Sequence, residues 1–175
     1  MINRPLIVMG VSSCGKSTLA RAFSSRFELP FVEGDEFHPP ANVNKMQRGI
    51  ALDDEDRKEW LQALCLQCNR FLNAKESVVL SCSALKKRYR DQFRRRLIAP
   101  PQFLYLDIIE TRAHQRCQNR QDHFMPKSLI RSQFETLECP VGEADVIRID
   151  AEWALEDQIA FCEYKLNLVE EKERS

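Results

Sequence analysis

The sequence carries no excess of either charge, which narrows the classes of partner that the protein can have. Its 175 residues include 26 Lys plus Arg and 26 Asp plus Glu, so the formal net charge at pH 7 is zero. Without a net positive charge, no overall field attracts the chain to nucleic acid or to an anionic membrane surface. The sequence therefore predicts neither nucleic acid nor a membrane as a partner.

Long apolar runs, internal repeats and low-complexity segments are also missing from the sequence. No stretch approaches the roughly 20 consecutive apolar residues that span a bilayer. The first apolar run begins at Leu6, which leaves no room for a targeting segment before it. Because this chain length forms one full core but not two, we expect a single cytoplasmic domain over residues 1–175.

The number of cysteines is odd, which argues against a disulfide framework. Seven are present, several within apolar patterns, as expected for reduced thiols in the cytosol. Cys65 and Cys68 form a C-x-x-C motif of the kind found in zinc and redox sites, but no second pair follows. Both cysteines continue the apolar stripe of a predicted helix, so we interpret them as buried core residues.

A phosphate-binding signature lies near the N-terminus. Residues 10–17 read Gly-Val-Ser-Ser-Cys-Gly-Lys-Ser, between the apolar run of residues 6–9 and a helical pattern that begins near Leu19. This is a G-x-x-x-x-G-K-S loop in its usual context between a strand and a helix. The loop N–H groups and the positive end of the helix dipole attract a polyphosphate. The sequence therefore predicts a site for a nucleoside triphosphate.

The residues of this loop have separate predicted roles. Gly10 and Gly15 permit backbone angles that other residues avoid. Lys16 is expected to reach the β- and γ-phosphates, and the Ser17 hydroxyl is expected to bind Mg²⁺. The other predicted nucleotide contacts in and just after the loop are Val11, Ser12, Ser13, Cys14 and Thr18.

Strand patterns alternate with helical patterns along the chain, which is typical of a parallel sheet with helices on both faces. In such three-layer α/β folds, ligands bind at the carboxyl ends of the strands. Five strands are predicted, at residues 6–9, 30–33, 77–82, 102–107 and 145–150. Helices are predicted after the phosphate loop, at 42–47, from a cap at Asp53 and Asp54 to about Leu72, and at 84–97, 110–119, 126–137 and 155–169.

Asp35 directly follows the second predicted strand. A carboxylate at that strand end lies close to the phosphates and can orient or deprotonate an attacking hydroxyl group. The alternative is a residue that forms a turn or caps a helix. Glu33 would point the same way and could reach Mg²⁺ through water, and Asp107 could contact the metal or cap the helix after its strand.

Two groups of basic residues are candidates for anion contacts. Lys86 and Arg90 are four residues apart on the predicted helix 84–97, where they could clamp an anionic group of a substrate. The rest of that basic run is interpreted as a solvated face. A polar segment at about residues 116–128 is interpreted as a lid that closes over the triphosphate. Its candidate contacts are Arg116, Arg120 and His123.

Several sequence blocks, taken in order, resemble the gluconokinases. They extend from the first strand into the last third of the chain, so the resemblance covers one whole domain. Besides the phosphate loop, the blocks are Glu33–Asp35 with His38, Leu52–Arg57 with Trp60, Cys82–Lys87 with Tyr89–Asp91, and His123–Pro126 with Ser132–Leu137.

The resemblance implies a P-loop kinase fold with a mobile lid. It also implies transfer of the γ-phosphate of ATP to the 6-hydroxyl of D-gluconate with Mg²⁺, often by a homodimer. Asp35 would contact the acceptor hydroxyl, and Arg120 would lie over the phosphates. The substrate side would include His38, Arg57, Lys86, Arg90 and His123.

The sequence departs from the family pattern at two informative places. Ser13–Cys14 stands where the family usually has Gly-Ser, which matters only if position 13 needs a positive φ. Glu33 stands where aspartate is usual, which weakens the case for direct metal ligation there.

Two functions other than gluconate phosphorylation are considered for this sequence. A nucleotide-switch protein would bind without phosphorylating a metabolite, but the guanine signature Asn-Lys-x-Asp is absent, because Asn44 and Lys45 are followed by Met46 and Gln47. A kinase of another small acid, such as shikimate, is the alternative within the enzymes.

Overall fold

The computed structural model describes residues 2, 4–119 and 127–168 of the chain. Its strands are β1 (Leu6–Met9), β2 (Phe31–Glu33), β3 (Val79–Ser81), β4 (Gln102–Asp107) and β5 (Val146–Asp150). They form one parallel sheet in the order β2-β3-β1-β4-β5. The predicted fold, a five-stranded parallel sheet flanked by helices, is confirmed.

The helices lie between and after these strands, as the alternation predicted. Among the described residues, no helix is long and apolar enough to cross a bilayer. They are α1 (Lys16–Phe27), α2 (Pro40–Gln47), α3 (Asp56–Asn73), α4 (Lys87–Arg96), α5 (Glu110–Gln118), α6 (Lys127–Thr136) and α7 (Leu155–Lys165), with a short 3-10 turn at Gly34–Phe37.

The central strand β1 is buried on both faces of the sheet. Leu6 and Val8 pack into the core on one face, while Ile7 and Met9 pack into the core on the other. Successive side chains of a strand point to opposite faces, so a strand covered on both sides is apolar at every position. The run of residues 6–9 therefore fixes the start of the phosphate loop at the carboxyl edge of the sheet.

The first turn of α3 is preceded by a reciprocal pair of side-chain bonds. The N–H of Asp56 donates to Asp53 Oδ1 at 2.8 Å, and the N–H of Asp53 donates to Asp56 Oδ2 at 3.0 Å. This arrangement satisfies free N–H groups as a capping box does. The N-cap position itself is Glu55, so Asp53 bonds the first N–H of α3 from just before the cap, whereas Asp54 turns toward Lys86, Arg88 and Tyr89.

Helix α4 begins at Lys87 and not at Ala84, so the predicted start was wrong. Ala84 has φ of 43°, and Lys86 is extended, with φ of −95° and ψ of 147°. The segment that follows β3 therefore turns before the helix starts. Lys86 and Arg90 do not share a helical face, because Lys86 lies just before the helix.

Cys65 and Cys68 lie on the buried face of α3, in the core cluster that also contains Trp60 and Leu64. Burial raises the pKa of the Cys65 thiol to about 11 and that of Cys68 to about 12. Both remain protonated near neutral pH, which suits core side chains and not thiolate ligands. Their interpretation as core residues is confirmed.

Candidate active site

The phosphate loop leaves β1 and enters α1 through two glycines with positive φ, 143° at Gly10 and 104° at Gly15. A Cβ atom on Gly10 would lie 2.7 Å from the carbonyl oxygen of Leu106, so this position accepts no side chain. Lys16, the first residue of α1, donates from Nζ to the carbonyl oxygen of Val11 at 2.8 Å. The ammonium group of Lys16 thus binds a carbonyl group of its own loop. A bound polyphosphate would compete with that carbonyl for the ammonium group.

Ser13 also has a positive φ, of 63°, and is buried. The left-handed region suits glycine and strains a residue with a Cβ atom. Serine at this position therefore carries backbone strain that the usual family glycine would avoid.

Three side chains link the phosphate loop to the ends of β3 and β2. The Ser17 and Ser81 hydroxyl oxygens are 3.4 Å apart, and Ser81 donates to Glu33 Oε1 at 2.8 Å. Arg21 lies 3.6 Å from the same carboxylate. A hydroxyl beside a carboxylate is the type of oxygen donor set that suits Mg²⁺, so these residues fit the predicted metal.

Asp107, the other candidate metal contact, is engaged by protein groups. Its carboxylate forms an ion pair with Arg148 at 2.6 Å and accepts a hydrogen bond from the Tyr105 hydroxyl at 3.1 Å. Coordination of a metal would require it to give up these partners.

Gly34 fixes the position of Asp35 at the end of β2. A Cβ atom on Gly34 would lie 2.2 Å from the carbonyl oxygen of Ser81, so only glycine allows β2 to approach β3 this closely. The Trp60 indole donates to the Gly34 carbonyl at 2.7 Å. Asp35 follows in the 3-10 turn after the end of β2 and is exposed.

His38 stacks on Trp60 at 4.2 Å between ring centres, with the ring planes within 12°. Burial is the largest cause and lowers the pKa of His38 to about 4; the charge of Asp35 acts in the opposite direction, and the smaller effect of Arg57 lowers the pKa further. The imidazole is therefore neutral at pH 7, so it can both donate and accept a hydrogen bond.

Arg57 is a buried cation that faces two aromatic rings. It projects from the first turns of α3, is 7% exposed, and lies 5.9 Å from the ring centre of Trp60 and 5.8 Å from that of Tyr89. Within the described residues, its Nε has no hydrogen-bond partner. A buried guanidinium N–H that protein groups leave unsatisfied is costly unless a ligand supplies an acceptor.

Arg90 occupies a different environment from the anion clamp expected from the sequence. It is fully buried, and each nitrogen of its guanidinium is engaged by protein oxygens. Nε and Nη2 donate to the Glu143 carboxylate, Nη1 to the carbonyls of Ala84 and Leu85, and Nη2 also to the carbonyl of Glu138. In this arrangement Arg90 has no N–H group left for a substrate.

Lys86 pairs with Asp54 at 2.7 Å. The same carboxylate accepts from Arg88 at 2.5 Å and from the Tyr89 hydroxyl. Hydrogen bonds from Lys86 and then Tyr89 hold the pKa of Asp54 below its usual value. Two cations around one carboxylate leave a local excess of positive charge next to the Tyr89 ring that Arg57 also faces.

On the nucleotide side, Arg116 connects the phosphate loop to the loop after β5. Its Nη1 donates to the Cys14 carbonyl at 3.1 Å and its Nη2 to the Ala151 carbonyl at 2.6 Å. A cavity of about 360 Å³ opens beside it, with Thr18 and Trp153 in its lining. Trp153 was missed by the sequence analysis, because an isolated tryptophan after a strand carries no motif.

Gln133 was also missed as a site residue. It lies on α6, and its Oε1 accepts the backbone N–H of Ser12 in the phosphate loop at 2.6 Å. The signal available in the sequence was its place in the block Ser132–Leu137, to which no chemistry was assigned. Arg120 and His123, and most of the predicted lid at 116–128, lie outside the described residues.

A phosphate loop at the end of β1, a parallel five-stranded sheet and a carboxylate at the end of β2 define a class, the small-molecule kinases of the P-loop type. A family model described as an AAA domain matches residues 6–140. The sequence is also similar to individual proteins over most of its length. The gluconokinase of Gluconobacter oxydans is 46% identical over 150 residues, which are 85% of this chain and 83% of that protein.

Two solved structures extend the comparison to the fold. The crystal structure of a gluconokinase from Sinorhizobium meliloti is 38% identical, with a TM-score of 0.82 over 95% of this chain and 97% of that one. That of a sugar kinase from Janibacter sp., also 38% identical, has a TM-score of 0.89 over 96% of each chain. The chain belongs to the gluconokinase family and is a kinase.

Proposed function

We propose that the protein transfers the γ-phosphoryl group of ATP to the 6-hydroxyl of D-gluconate, giving 6-phospho-D-gluconate and ADP. Family membership supports the reaction. The observation that supports an acidic substrate is the buried guanidinium of Arg57, whose Nε lacks a partner within the described residues and whose charge, like that of Asp35, acts on His38.

On the donor side, the loop N–H groups and the start of α1 would hold the triphosphate. Lys16 would exchange the carbonyl of Val11 for phosphate oxygens. Ser17, with Glu33 behind Ser81, would hold Mg²⁺, whose chemistry when bound is to neutralise charge on the β- and γ-phosphate oxygens.

On the acceptor side, the exposed carboxylate of Asp35 would accept the proton of the attacking hydroxyl or hold that hydroxyl in line with the phosphorus atom. The neutral ring of His38 offers a hydrogen bond to a neighbouring hydroxyl of the sugar acid. Stacking on Trp60 fixes the plane of this ring.

At the far end of the substrate, Arg57 would pair with the gluconate carboxylate. An extended six-carbon chain separates its two ends by several ångströms, so the acid needs a cation apart from the phosphate site. Lys86 adds positive charge nearby, although its ammonium group already forms an ion pair with Asp54. Arg90 is assigned to the scaffold and not to the clamp, because its N–H groups are already used.

The test of this function is ADP release measured with a panel of acceptors: gluconate, other six-carbon sugar acids, shikimate and glucose. We expect the highest kcat/KM for gluconate and a low value for glucose, which has no carboxylate. Faster turnover of shikimate or glucose would contradict the assignment and favour another small-molecule kinase.

From the family resemblance we also propose a cytoplasmic homodimer. Sedimentation velocity at micromolar concentration tests the oligomeric state. A single species at the mass of one chain, 20.4 kDa, would contradict a dimer.

A further inference from the structure

Gln133 of helix α6 forms a hydrogen bond with the phosphate loop. Its Oε1 accepts the N–H of Ser12 at 2.6 Å across 121 residues of sequence. A backbone N–H offers only a proton, so the atom that faces it must be the amide oxygen. The contact therefore places an acceptor where the loop presents one of its donors.

The same side chain lies at the boundary with the acceptor side. Gln133 and Arg57 line one small cavity, together with Ser132 and Thr136 of the same helix. On its other side Gln133 reaches the loop tip, where Lys16 also binds the carbonyl of Val11. Gln133 therefore lies between the phosphate loop and Arg57, at the boundary of the donor and acceptor sides.

A phosphate oxygen and the Gln133 amide oxygen cannot both use the Ser12 N–H. Both are acceptors, and a negatively charged oxygen placed against the amide oxygen is repelled by it. The amide group, however, carries two N–H donors on the opposite atom. If the carboxamide rotates, Oε1 leaves the loop and Nε2 can donate to a phosphate oxygen.

We propose that Gln133 contacts the transferring phosphoryl group: it occupies the Ser12 N–H in the empty enzyme and donates from Nε2 to the γ-phosphoryl oxygens during transfer. Helix α6 is thereby coupled to the occupancy of the phosphate loop. This inference rests on the proposed function for the identity of the acceptor, but its nucleotide-binding part does not.

Two effects of opposite direction follow for Gln133→Leu, which keeps the volume and removes both polar atoms. Affinity for a non-hydrolysable ATP analogue without gluconate should rise about 3- to 10-fold, because no amide oxygen competes for the Ser12 N–H. The kcat should fall about 10²- to 10³-fold, because a donor to the developing charge is lost. The KM for gluconate should stay within about twofold.

Two further variants are compared with Gln133→Leu: Gln133→Glu adds a charge at the same position, and Glu135→Gln is the control. Gln133→Glu retains an acceptor and adds negative charge, so it should lower affinity for the ATP analogue and abolish most turnover. Glu135 lies on the same helix, 63% exposed and paired with Arg131, so Glu135→Gln should behave as wild type.

The measurements are calorimetric titration with the analogue, steady-state kinetics and the Tm of each variant. Tighter binding together with slower turnover in Gln133→Leu supports the proposal. Unchanged affinity, or a joint loss of affinity, kcat and Tm, would overturn it and leave only a structural contact. If the wild type fails to phosphorylate gluconate, the proposed function fails, while the titration still tests the competition for Ser12.

Discussion

Arg90 and Glu143 form a buried ion pair in which Nη2 lies 2.5 Å from Oε1, between α4 and the segment that precedes β5. Arg94 joins the pair by contacting both Glu143 and Asp145. The pair fastens the start of α4 to the chain that follows α6. It also removes Arg90 from the set of side chains that can bind a substrate.

Arg90→Ala should therefore act on stability. It removes the buried partner of Glu143, which keeps only Arg94 among the described residues, and the Arg90 donors of three carbonyl groups, so the free energy of unfolding should fall by about 3–5 kcal/mol. Denaturant unfolding measures this change, and Arg95→Ala, at an exposed position of the same helix, is the matched control. A stable variant whose only defect is a higher KM for gluconate would restore Arg90 as a substrate clamp.

Ser13→Gly should stabilise the protein, because glycine adopts the positive φ at this position without strain. Relief of strain exceeds the added flexibility of the unfolded chain by about 0.5–1 kcal/mol, which raises Tm by about 1–4 °C. Ser25→Gly, at an exposed position inside α1, should have the opposite sign. Equal losses of Tm in both variants would show that Ser13 is not strained.

Asp35→Asn should lower kcat by about 10²- to 10⁴-fold, because an amide cannot take the proton of the acceptor hydroxyl. Affinity for ATP should change little, since Asp35 belongs to the acceptor side. Glu36→Gln changes the next exposed carboxylate of the same turn and should keep wild-type kcat. Loss of ATP affinity without loss of kcat at saturating ATP would instead assign Asp35 to the metal.

His38 should make stability depend on pH. Its pKa is lowered from 6.5 to about 4, chiefly by burial, so between these values the unfolded chain binds a proton that the folded chain does not. Its contribution is complete above about pH 6.5 and is lost as the pH falls toward 4, by about 2 kcal/mol. Denaturant unfolding from pH 7 to 4 measures this loss.

His38→Gln is the variant that isolates this contribution, because carboxylates also titrate over the same range. Its stability should be less sensitive to acid than that of wild type. Identical slopes in wild type and His38→Gln would contradict the lowered pKa.

Patterns that depend on neighbours in sequence predicted most of the fold. The run of residues 6–9, the loop glycines and the apolar stripe of α3 are set by local periodicity and backbone angles, so strands, helices and phosphate loop were found. The start of α4 was missed because the turn at Ala84 is held by Arg90, whose partner Glu143 lies 53 residues further on.

In the candidate site, too, local motifs predicted some residues, whereas contacts between distant parts of the chain were missed. Lys16 and Ser17 belong to a local motif, and their positions follow from it. Gln133 reaches Ser12 over 121 residues, and the Nε of Arg57 loses its partners among the described residues only once the chain is folded. Neither feature has a signature along the sequence, and each depends on packing between distant elements.

The most direct test of an acidic substrate is the ratio of kcat/KM for gluconate to that for glucose, in wild type and in Arg57→Met. Methionine fills the buried space without charge, and Lys58→Ala, at the next and exposed position of α3, is the control. Loss of a buried charged partner costs about 2–5 kcal/mol, so the ratio should fall at least about 30-fold in Arg57→Met and stay unchanged in Lys58→Ala. An unchanged ratio in Arg57→Met would show that the carboxylate is recognised elsewhere and would contradict the role given to Arg57.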